Sequence, residues 1–342
     1  MTMSPRQRVR RAVEFDHPDR PPRDLWLLPA ARLRYGDAAI DDFLRRWPTD
    51  LASAAGPDAA ALGLTSGERH AAGIYRDEWG CEFINIQPGV IGEVKNPRLA
   101  DWSALEDLKP PTPLLNLDVE RINAFCAASD RFVLAGCCPR PFEQAQFLRG
   151  SENLYVDLAE DRPEMRRLLA ILHDFYLKQV EAWAATAVDG LMFMDDWGSQ
   201  RAMLISPAQW RSLFKPLYAD YARIARDRGK KLFMHSDGWI FDIYEDLIEI
   251  GVDAVNSQLF CMDIEEIGRR FRGRITFWGE IDRQRILNRA TVEEVRSAVK
   301  RVVDALYLPA GGVIAQFELG AGTALENAEA VFRAWNELAG GR

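Results

Sequence analysis

Short apolar runs alternate with longer amphipathic segments over most of the chain after residue 116. Apolar residues in the longer segments recur at helical spacing, whereas the short runs have the length and composition of buried strands. Six runs therefore predict strands, each followed by a helix: RFVLAGCC, GLMFMDDWG, KKLFMHSDG, VDAVNSQ, RITFWGEID and GGVIAQFELG. Strands separated by helices are typical of a parallel sheet, and one or two earlier strands bring the number close to eight. We therefore predict an α/β fold, a (β/α)8 TIM barrel with an N-terminal elaboration.

The first 115 residues follow a looser pattern. Ser4 and Pro5 begin a predicted amphipathic helix, and residues 25–28 form a candidate first strand after three prolines. Residues 37–111 are irregular, with two hairpin-like segments, YRDEWGCEF and PGVIGEVKNP, and a short helix near residues 101–108. We interpret residues 1–342 as a single domain. Residues 1–115 supply its first helix, first strand and capping segments, and residues 116–342 supply the regular β/α units.

Composition narrows the functional class. The net charge of −8 and the pI near 5.3 argue against a surface for nucleic acid or anionic membranes. No apolar run approaches the roughly 20 residues that span a bilayer, and the basic N-terminus lacks the apolar segment of a signal peptide. The five scattered cysteines form no CxxC motif, so we expect reduced thiols and a cytoplasmic protein. No phosphate-binding glycine motif follows the first strand, which disfavours a nucleotide-binding open sheet.

The segment HSDG lies at the end of one predicted strand and carries the most distinctive candidate chemistry. Side chains alternate along a strand, so His235 and Asp237 are expected on the same side. An imidazole and a carboxylate in this arrangement suit half of a metal site or an acid–base pair. The alternative is an ordinary turn in which Asp237 caps the following helix.

Neighbouring predicted strands also end in polar groups: Asp195, Asp196 and Gln200; Asn256 and Gln258; Glu280 and Asp282; and Gln316 and Glu318. The active site of a TIM barrel is built at these ends. Buried carboxylates are unfavourable unless they are paired or bound to a cation, so we predict an active site here. Asp196 or Asp282 could instead cap a helix. Asp77, in DEWG, either covers the barrel mouth or forms an exposed acidic pair with Glu78.

Several motifs in the second half of the chain occur in the order and spacing of one known family. They are DDWGSQ followed by ISPAQW, HSDG, IEIGVDAVNSQ, GEIDRQRIL, and GGVIAQ followed by Glu326 and Asn327. With these motifs the chain resembles the uroporphyrinogen decarboxylase superfamily, which includes the corrinoid-linked methyltransferases. The resemblance is specific between residues 189 and 335 and looser before them. It implies a TIM barrel.

The two branches of this superfamily differ in the residues that matter for chemistry. Uroporphyrinogen decarboxylases typically carry a segment similar to W-M-R-Q-A-G-R-Y near the first strand, and its two arginines hold substrate carboxylates. Aligned on residues 26–33, the second arginine falls on Arg32 but the first falls on Leu28. The methyltransferases typically carry H-x-C-G and a later cysteine, which hold zinc. Here Asp237 stands in place of the first cysteine, and Phe317, beside Glu318, stands near the second.

The resemblance therefore implies a methyltransferase-like enzyme that moves a methyl group between a small methylated substrate or thiol and a corrinoid carried on a separate protein. A divalent metal, zinc first and manganese or iron as alternatives, would be bound by His235, Asp237 and Glu318. We expect catalytic groups in Asp195, Asp196, Asp237 and Glu280, and substrate contacts from Arg32, Asp77, Gln200, Asn256, Gln258 and Asp282.

Two other functions stay open. One is a metal-free decarboxylase, in which Arg32 holds a carboxylate and an acid protonates a carbanion-like intermediate. The other is a non-catalytic homologue that binds a corrinoid or another ligand. The resemblance also implies a homodimer as one oligomeric state.

Overall fold

The computed structural model describes residues 3–340. Its strands, in chain order, are β1 (Arg23–Leu27), β2 (Leu51–Ser53), β3 (Gly73–Arg76), β4 (Glu82–Asn85), β5 (Glu93–Asn96), β6 (Phe132–Leu134), β7 (Gly190–Met194), β8 (Lys231–Ser236), β9 (Ala254–Ser257), β10 (Thr276–Trp278) and β11 (Val313–Leu319). Eight of them form a parallel sheet in the order β1-β11-β10-β9-β8-β7-β6-β2. The strands curl into a nearly closed barrel with helices between them, which confirms the predicted fold class.

The barrel is joined between β1 and β2 by Asp50 instead of a strand ladder. The backbone N–H of Asp50 donates to the carbonyl oxygen of Arg23 at 2.7 Å. Its carboxylate accepts from the Arg23 N–H at 2.6 Å and from the side chains of Arg8 and Arg20. One buried carboxylate therefore connects the first helix, β1 and β2.

The helices are α1 (Pro5–Glu14), α2 (Pro29–Tyr35), α3 (Asp37–Arg46), α4 (Val119–Ala128), α5 (Pro141–Arg149), α6 (Ser151–Ala159), α7 (Pro163–Ala184), α8 (Pro207–Leu213), α9 (Lys215–Asp227), α10 (Tyr244–Ile250), α11 (Ile264–Phe271), α12 (Ile286–Arg289), α13 (Val292–Leu306) and α14 (Leu325–Ala339). Short 3-10 turns occupy Trp102–Asp107, Thr112–Leu115, Phe241–Ile243 and Leu259–Cys261. Within residues 3–340, no helix is both long and apolar enough to cross a membrane.

Several elements differ from the sequence-based expectation. The sequence predicts one long helical stretch over residues 142–185, interrupted near residues 161–163. The structure has three helices there, because Gly150, with a φ of 81°, adds a break between α5 and α6. The second barrel strand, β2, and the helix α3 lie in the segment that was expected to be irregular. The two hairpin-like segments do form strands, β3 to β5, in a separate antiparallel sheet.

Two apolar clusters stabilise this architecture. The larger one fills the space between the barrel and its helices. The smaller one lies inside the barrel and includes Phe233, Trp278 and Ile314, with Val9 and Val13 of α1 packed against it. The capping box between Ser4 and Gln7 begins α1 as the sequence predicts. Because the barrel interior is filled in this way, it is a packed core, and polar groups gather at the carboxyl ends of the strands.

Candidate active site

Three predicted residues come together where β7 and β8 end. The imidazole Nε2 of His235 lies 3.6 Å from Asp196 Oδ1 and 3.6 Å from Asp237 Oδ1. Together the three side chains offer ligand atoms that lie within 4.8 Å of one another. His235 is 4% exposed, whereas the two carboxylates are partly exposed. The expected pairing of His235 with Asp237 is therefore present, and Asp196 joins it.

Two glycines allow the loops after β7 and β8 to approach this closely. Gly238 has a φ of 76°, and a Cβ there would lie 2.0 Å from the carbonyl oxygen of Gly198. The Gly198 N–H donates to the Asp237 carbonyl oxygen at 3.1 Å, and the Asp237 N–H donates to Asp196 Oδ1 at 2.9 Å. The glycines of DDWG and HSDG are therefore needed for backbone contact, which places Asp196 beside Asp237.

Asn256 sets the orientation and tautomer of His235. The Asn256 amide nitrogen donates to the Trp278 carbonyl oxygen at 2.5 Å and to Gln316 Oε1 at 2.9 Å. Its oxygen is therefore the atom that faces His235 Nδ1, at 2.6 Å, and it accepts a hydrogen bond from the N–H at that nitrogen. In the neutral imidazole the lone pair is then on Nε2, directed at the two carboxylates. Trp26 packs edge-on to the same ring at 4.8 Å and fixes its plane.

One oxygen of Asp237 is buried without a hydrogen-bond partner among the described residues. This atom, Oδ1, is the one that faces His235 Nε2, while Oδ2 accepts from Arg283. A buried anionic oxygen beside an imidazole lone pair is unfavourable unless a proton or a metal cation lies between them. Imidazole and carboxylate groups are accepted ligands of zinc, so these residues fit a divalent metal.

Arg283, which the sequence patterns did not indicate, holds the acidic groups beside this cluster. Its guanidinium donates to Asp237 Oδ2, lies 3.1 Å from Glu280 Oε2 and lies 3.5 Å from Glu318 Oε1. Glu318, expected as a metal ligand, therefore pairs with Arg283 and is not part of the three-residue group. Glu280 is 2% exposed, and this burial raises its pKa to about 8 although Arg283 favours the charged form. A basic residue directly after the strand-end motif GEID was the available signal.

Glu143, at the start of α5, is a second acidic group that the sequence patterns did not indicate. Its Oε2 lies 3.5 Å from the Arg140 guanidinium and is buried without a hydrogen bond among the described residues. Burial raises the pKa of Glu143 to about 7, and the negative charges of Asp196 and Asp237 add to the effect. Arg140 opposes this shift, and a carboxyl group with a pKa near neutral can both accept and release a proton.

Asp195 has a different environment from its neighbour Asp196. Its carboxylate accepts from the backbone N–H groups of Phe142 and Glu143 at 3.0 and 2.7 Å, and from the Tyr218 hydroxyl at 2.5 Å. The residue is fully buried, which raises its pKa. Asp195 thus caps the beginning of α5 and positions Glu143, and its carboxylate is enclosed by protein.

Other predicted residues lie at the rim of the barrel mouth. Gln200 donates to Gln258 Oε1 at 2.9 Å. Asp282 accepts from the N–H groups of Gln284 and Arg285, so it shapes the turn that carries Arg283. Gln200, Gln258, Glu280, Asp282 and Arg283 all line one open cavity of about 470 Å3.

A larger cavity of about 780 Å3 opens between the antiparallel sheet and the barrel. Arg140, Glu143, Cys138 and Tyr176 line it from the barrel side, and Asp77 and Glu78 line it from the hairpin. The DEWG segment therefore covers the barrel mouth, one of the two alternatives for Asp77. The Asp77 carboxylate also accepts from two backbone N–H groups of its own turn, those of Trp79 and Cys81. This cavity has room for a small substrate, and Glu143 is one of its acidic lining residues.

Comparison with known proteins identifies the family. The sequence matches uroporphyrinogen decarboxylase (URO-D) over residues 76–338. The chain belongs to the URO-D family. Its fold is similar to that of a methyltransferase from Methanosarcina mazei, with a TM-score of 0.67 and 14% identity over 98% of this chain and 99% of that one. A B12-independent methionine synthase from Shewanella sp. W3-18-1 is similar at a TM-score of 0.45 and 12% identity over 90% and 86%. At these identities the likeness concerns the fold alone. No curated protein sequence matches the chain.

The decarboxylase pattern is incomplete in this URO-D family member, because Leu28 stands in place of the first arginine and only Arg32 matches. The Arg32 side chain lies on α2 in surface ion pairs with Asp37 and Asp41, at 2.8 and 3.0 Å. The structure therefore does not bring Arg32 to the group around His235. Its exposed ion pairs are sufficient to explain its position.

The chain also departs from the thiol-ligated pattern of the URO-D superfamily's methyltransferase branch. Phe317 points out of the barrel, where it is fully buried 5.0 Å from the ring of Phe332, so the inward-facing residue at this strand end is Glu318. Burial raises the pKa of Cys138 to about 12 and that of Cys261 to about 11. The three residues whose ligand atoms lie within 4.8 Å of one another, Asp196, His235 and Asp237, offer only oxygen and nitrogen.

Proposed function

We propose that this URO-D family protein is a metal-dependent enzyme in which Asp196, His235 and Asp237 bind one divalent cation. The observation that carries this proposal is the buried Asp237 Oδ1, which faces His235 Nε2 at 3.6 Å and has no hydrogen-bond partner among the described residues. Asn256 keeps the proton of His235 on Nδ1, as metal-binding histidines require of the group behind them.

The charge balance around the cluster supports the same proposal. Two guanidinium groups, Arg140 and Arg283, face five carboxyl groups: Asp196, Asp237, Glu143, Glu280 and Glu318. Such an excess of buried negative charge is unfavourable unless protons or a cation compensate it. Because Glu280 is protonated at neutral pH, the excess is at most two negative charges, which one divalent cation at the three-residue group would balance. One imidazole and two carboxylates suit zinc, with manganese and iron as alternatives.

For the reaction, we propose transfer of a methyl group between a small methylated substrate or thiol and a corrinoid carried on a separate protein. The resemblance of the chain's motifs to the superfamily that includes the corrinoid-linked methyltransferases, with His235 in the place of their metal-binding histidine, supports this choice. When bound, the metal would act as a Lewis acid toward the sulfur or oxygen that gains or loses the methyl group. The chain's own groups orient His235 through Asn256, fix Asp237 through Arg283 and place Glu143 Oε2 as a proton donor or acceptor beside the larger cavity.

Metal content of the purified protein tests this proposal. We expect about one equivalent of zinc, manganese or iron per chain by plasma mass spectrometry. The metal should be lost in His235→Ala and Asp237→Ala and retained in the matched carboxylate variant Glu318→Gln. A metal-loaded protein should then demethylate one member of a panel of methylated thiols, ethers and amines, with methylation of added cob(I)alamin followed by absorbance. A protein that takes up no metal from any of these ions would remove the basis of the proposal.

Metal-free decarboxylation is the second candidate, and the pair formed by Glu280 and Arg283 favours it. Glu280 is protonated at neutral pH because its pKa is about 8, and Arg283 is a guanidinium that can hold a substrate carboxylate. In this reaction the substrate carboxylate leaves as CO2, and the carbanion-like intermediate takes the proton of Glu280. CO2 release that persists in chelator and is lost in Glu280→Gln would favour this candidate over the metal-dependent transferase.

A further inference from the structure

Arg283 lies at the centre of three carboxylates that come from three different strand ends. Each guanidinium nitrogen faces a different group: Nη2 faces Asp237, Nη1 faces Glu280 at 3.1 Å and Nε faces Glu318 at 3.5 Å. The side chains are largely withdrawn from solvent, with 20% exposure for Arg283, 27% for Asp237, 2% for Glu280 and 17% for Glu318. β8, β10 and β11 thus each supply one carboxylate to a single cation.

Asp237 belongs to both groups of charges. Its Oδ1 faces His235 and Asp196, and its Oδ2 accepts from Arg283. Enzymes that use two metal ions hold them a few ångströms apart in one pocket. The arrangement here has that form, with a guanidinium at the second position. An arginine is protonated at all accessible pH values, so this second cation is permanent.

We propose that Arg283 is a built-in cation that fills the second position of a two-cation site. It is a positioning residue: it fixes Asp237 for the metal at the first position and prevents a second metal ion from binding among Asp237, Glu280 and Glu318. This inference rests on the proposed metal site only for the ion at the first position. The second position is defined by the three carboxylates themselves.

The local chain explains why only Arg283 enters the site. Asp282 caps the turn, because its carboxylate accepts hydrogen bonds from the backbone N–H groups of Gln284 and Arg285. In this turn the side chains of Gln284 and Arg285 are exposed, and that of Arg283 points inward. Arg285 is therefore a matched control, since it is an arginine of the same turn outside the carboxylate group.

Manganese titration tests the proposal. Metal-free wild-type protein, Arg283→Ala and Arg285→Ala are titrated with Mn²⁺ by calorimetry, and bound ions are examined by electron paramagnetic resonance. We expect one ion per chain in the wild type and in Arg285→Ala, and two in Arg283→Ala, with broadening of the Mn²⁺ spectrum because the two ions are close. Adding Glu318→Gln to Arg283→Ala should weaken the second ion at least tenfold. One ion in Arg283→Ala, with wild-type affinity, would overturn the proposal.

Thermal unfolding provides a second readout if Arg283→Ala is unstable without metal. Ions that bind only the folded state raise its Tm by mass action. Mn²⁺ should therefore raise the Tm of Arg283→Ala more than that of the wild type, and an equal or smaller rise contradicts the inference. The two proposals are separable. No ion in the wild type with one in Arg283→Ala refutes the metal-dependent function alone, whereas one ion in each refutes the inference alone.

Discussion

Replacing Asn256 by leucine tests how the second layer of the site controls its metal-binding histidine. Asn256 is fully buried and makes three hydrogen bonds: one from His235 Nδ1 and one each to the Trp278 carbonyl oxygen and Gln316 Oε1. Leucine has nearly the same shape and makes none of them. Asn256→Leu therefore leaves a ring N–H and two acceptor oxygens without partners while adding little steric change.

The magnitude follows from these three groups. An unpaired buried polar group costs about 1–3 kcal/mol, and neighbouring losses are not fully additive, so the free energy of unfolding should fall by roughly 3–6 kcal/mol. In a chain of this size that corresponds to a Tm decrease of roughly 4–8 °C. His235 also loses its fixed tautomer. Loss of such a supporting hydrogen bond typically lowers metal affinity by about 10–100-fold.

The matched control is Asn327→Leu, at a buried asparagine outside the group of Asp196, His235 and Asp237. Asn327 is 6% exposed, and its amide nitrogen donates to two carbonyl oxygens, those of Leu287 and Ala290. Both variants should lower the Tm in differential scanning fluorimetry of metal-free protein. Only Asn256→Leu should weaken zinc or manganese binding in calorimetry. If both variants bind metal as the wild type does, the reasoning about the His235 tautomer is wrong.

Three further predictions concern buried acids and thiols. Burial raises the pKa of Asp24 from 3.8 to about 6, so its stabilising contribution is complete below about pH 3.8 and is lost as the pH rises through 6. Between pH 4 and 7, the free energy of unfolding measured in urea should therefore fall by about 2–3 kcal/mol less in Asp24→Asn than in the wild type. The same pH dependence of the unfolding free energy in both proteins would contradict this. Because burial raises the pKa values of Cys138 and Cys261, iodoacetamide at pH 8 should modify neither thiol in the native protein. Mass spectrometry of the treated protein measures this. Rapid modification of the folded chain would show that the thiols are ionised and would contradict the prediction. Asp195→Ala should lower the Tm, because the beginning of α5 loses its cap, and should still bind the metal. Asp196→Ala should lose the metal and leave the Tm of the metal-free protein nearly unchanged. Metal loss in both variants would contradict the capping role of Asp195.

The barrel was predictable because its strands are buried on both faces and therefore appear as continuous apolar runs. The same logic failed for β2, in which only Leu51 is buried, whereas the equally short β6 and β10 are buried throughout. The break at Gly150 escaped because α5 and α6 both have helical periodicity, and only the positive φ at their junction separates them. Local patterns thus identify long elements and miss those that tertiary contacts define.

The candidate site was predictable where its residues follow one another in sequence. The alternation of side chains along a strand indicated that His235 and Asp237 lie together, and the structure has them 3.6 Å apart. Glu143 and Arg283 were not indicated because only closure of the barrel brings β6 and β10 to the same edge. Asp195 and Asp196 are adjacent in sequence and face opposite surroundings, a distinction that depends on where α5 packs.

The most direct test of the account is a crystal structure of the zinc- or manganese-soaked protein, recorded at the absorption edge of the metal. The account predicts one anomalous peak per chain, bonded to His235 Nε2 and to carboxylate oxygens of Asp196 and Asp237, with no sulfur ligand and with Arg283 still paired to Glu318. A peak at another position, a cysteine ligand, or no peak after soaking would contradict it.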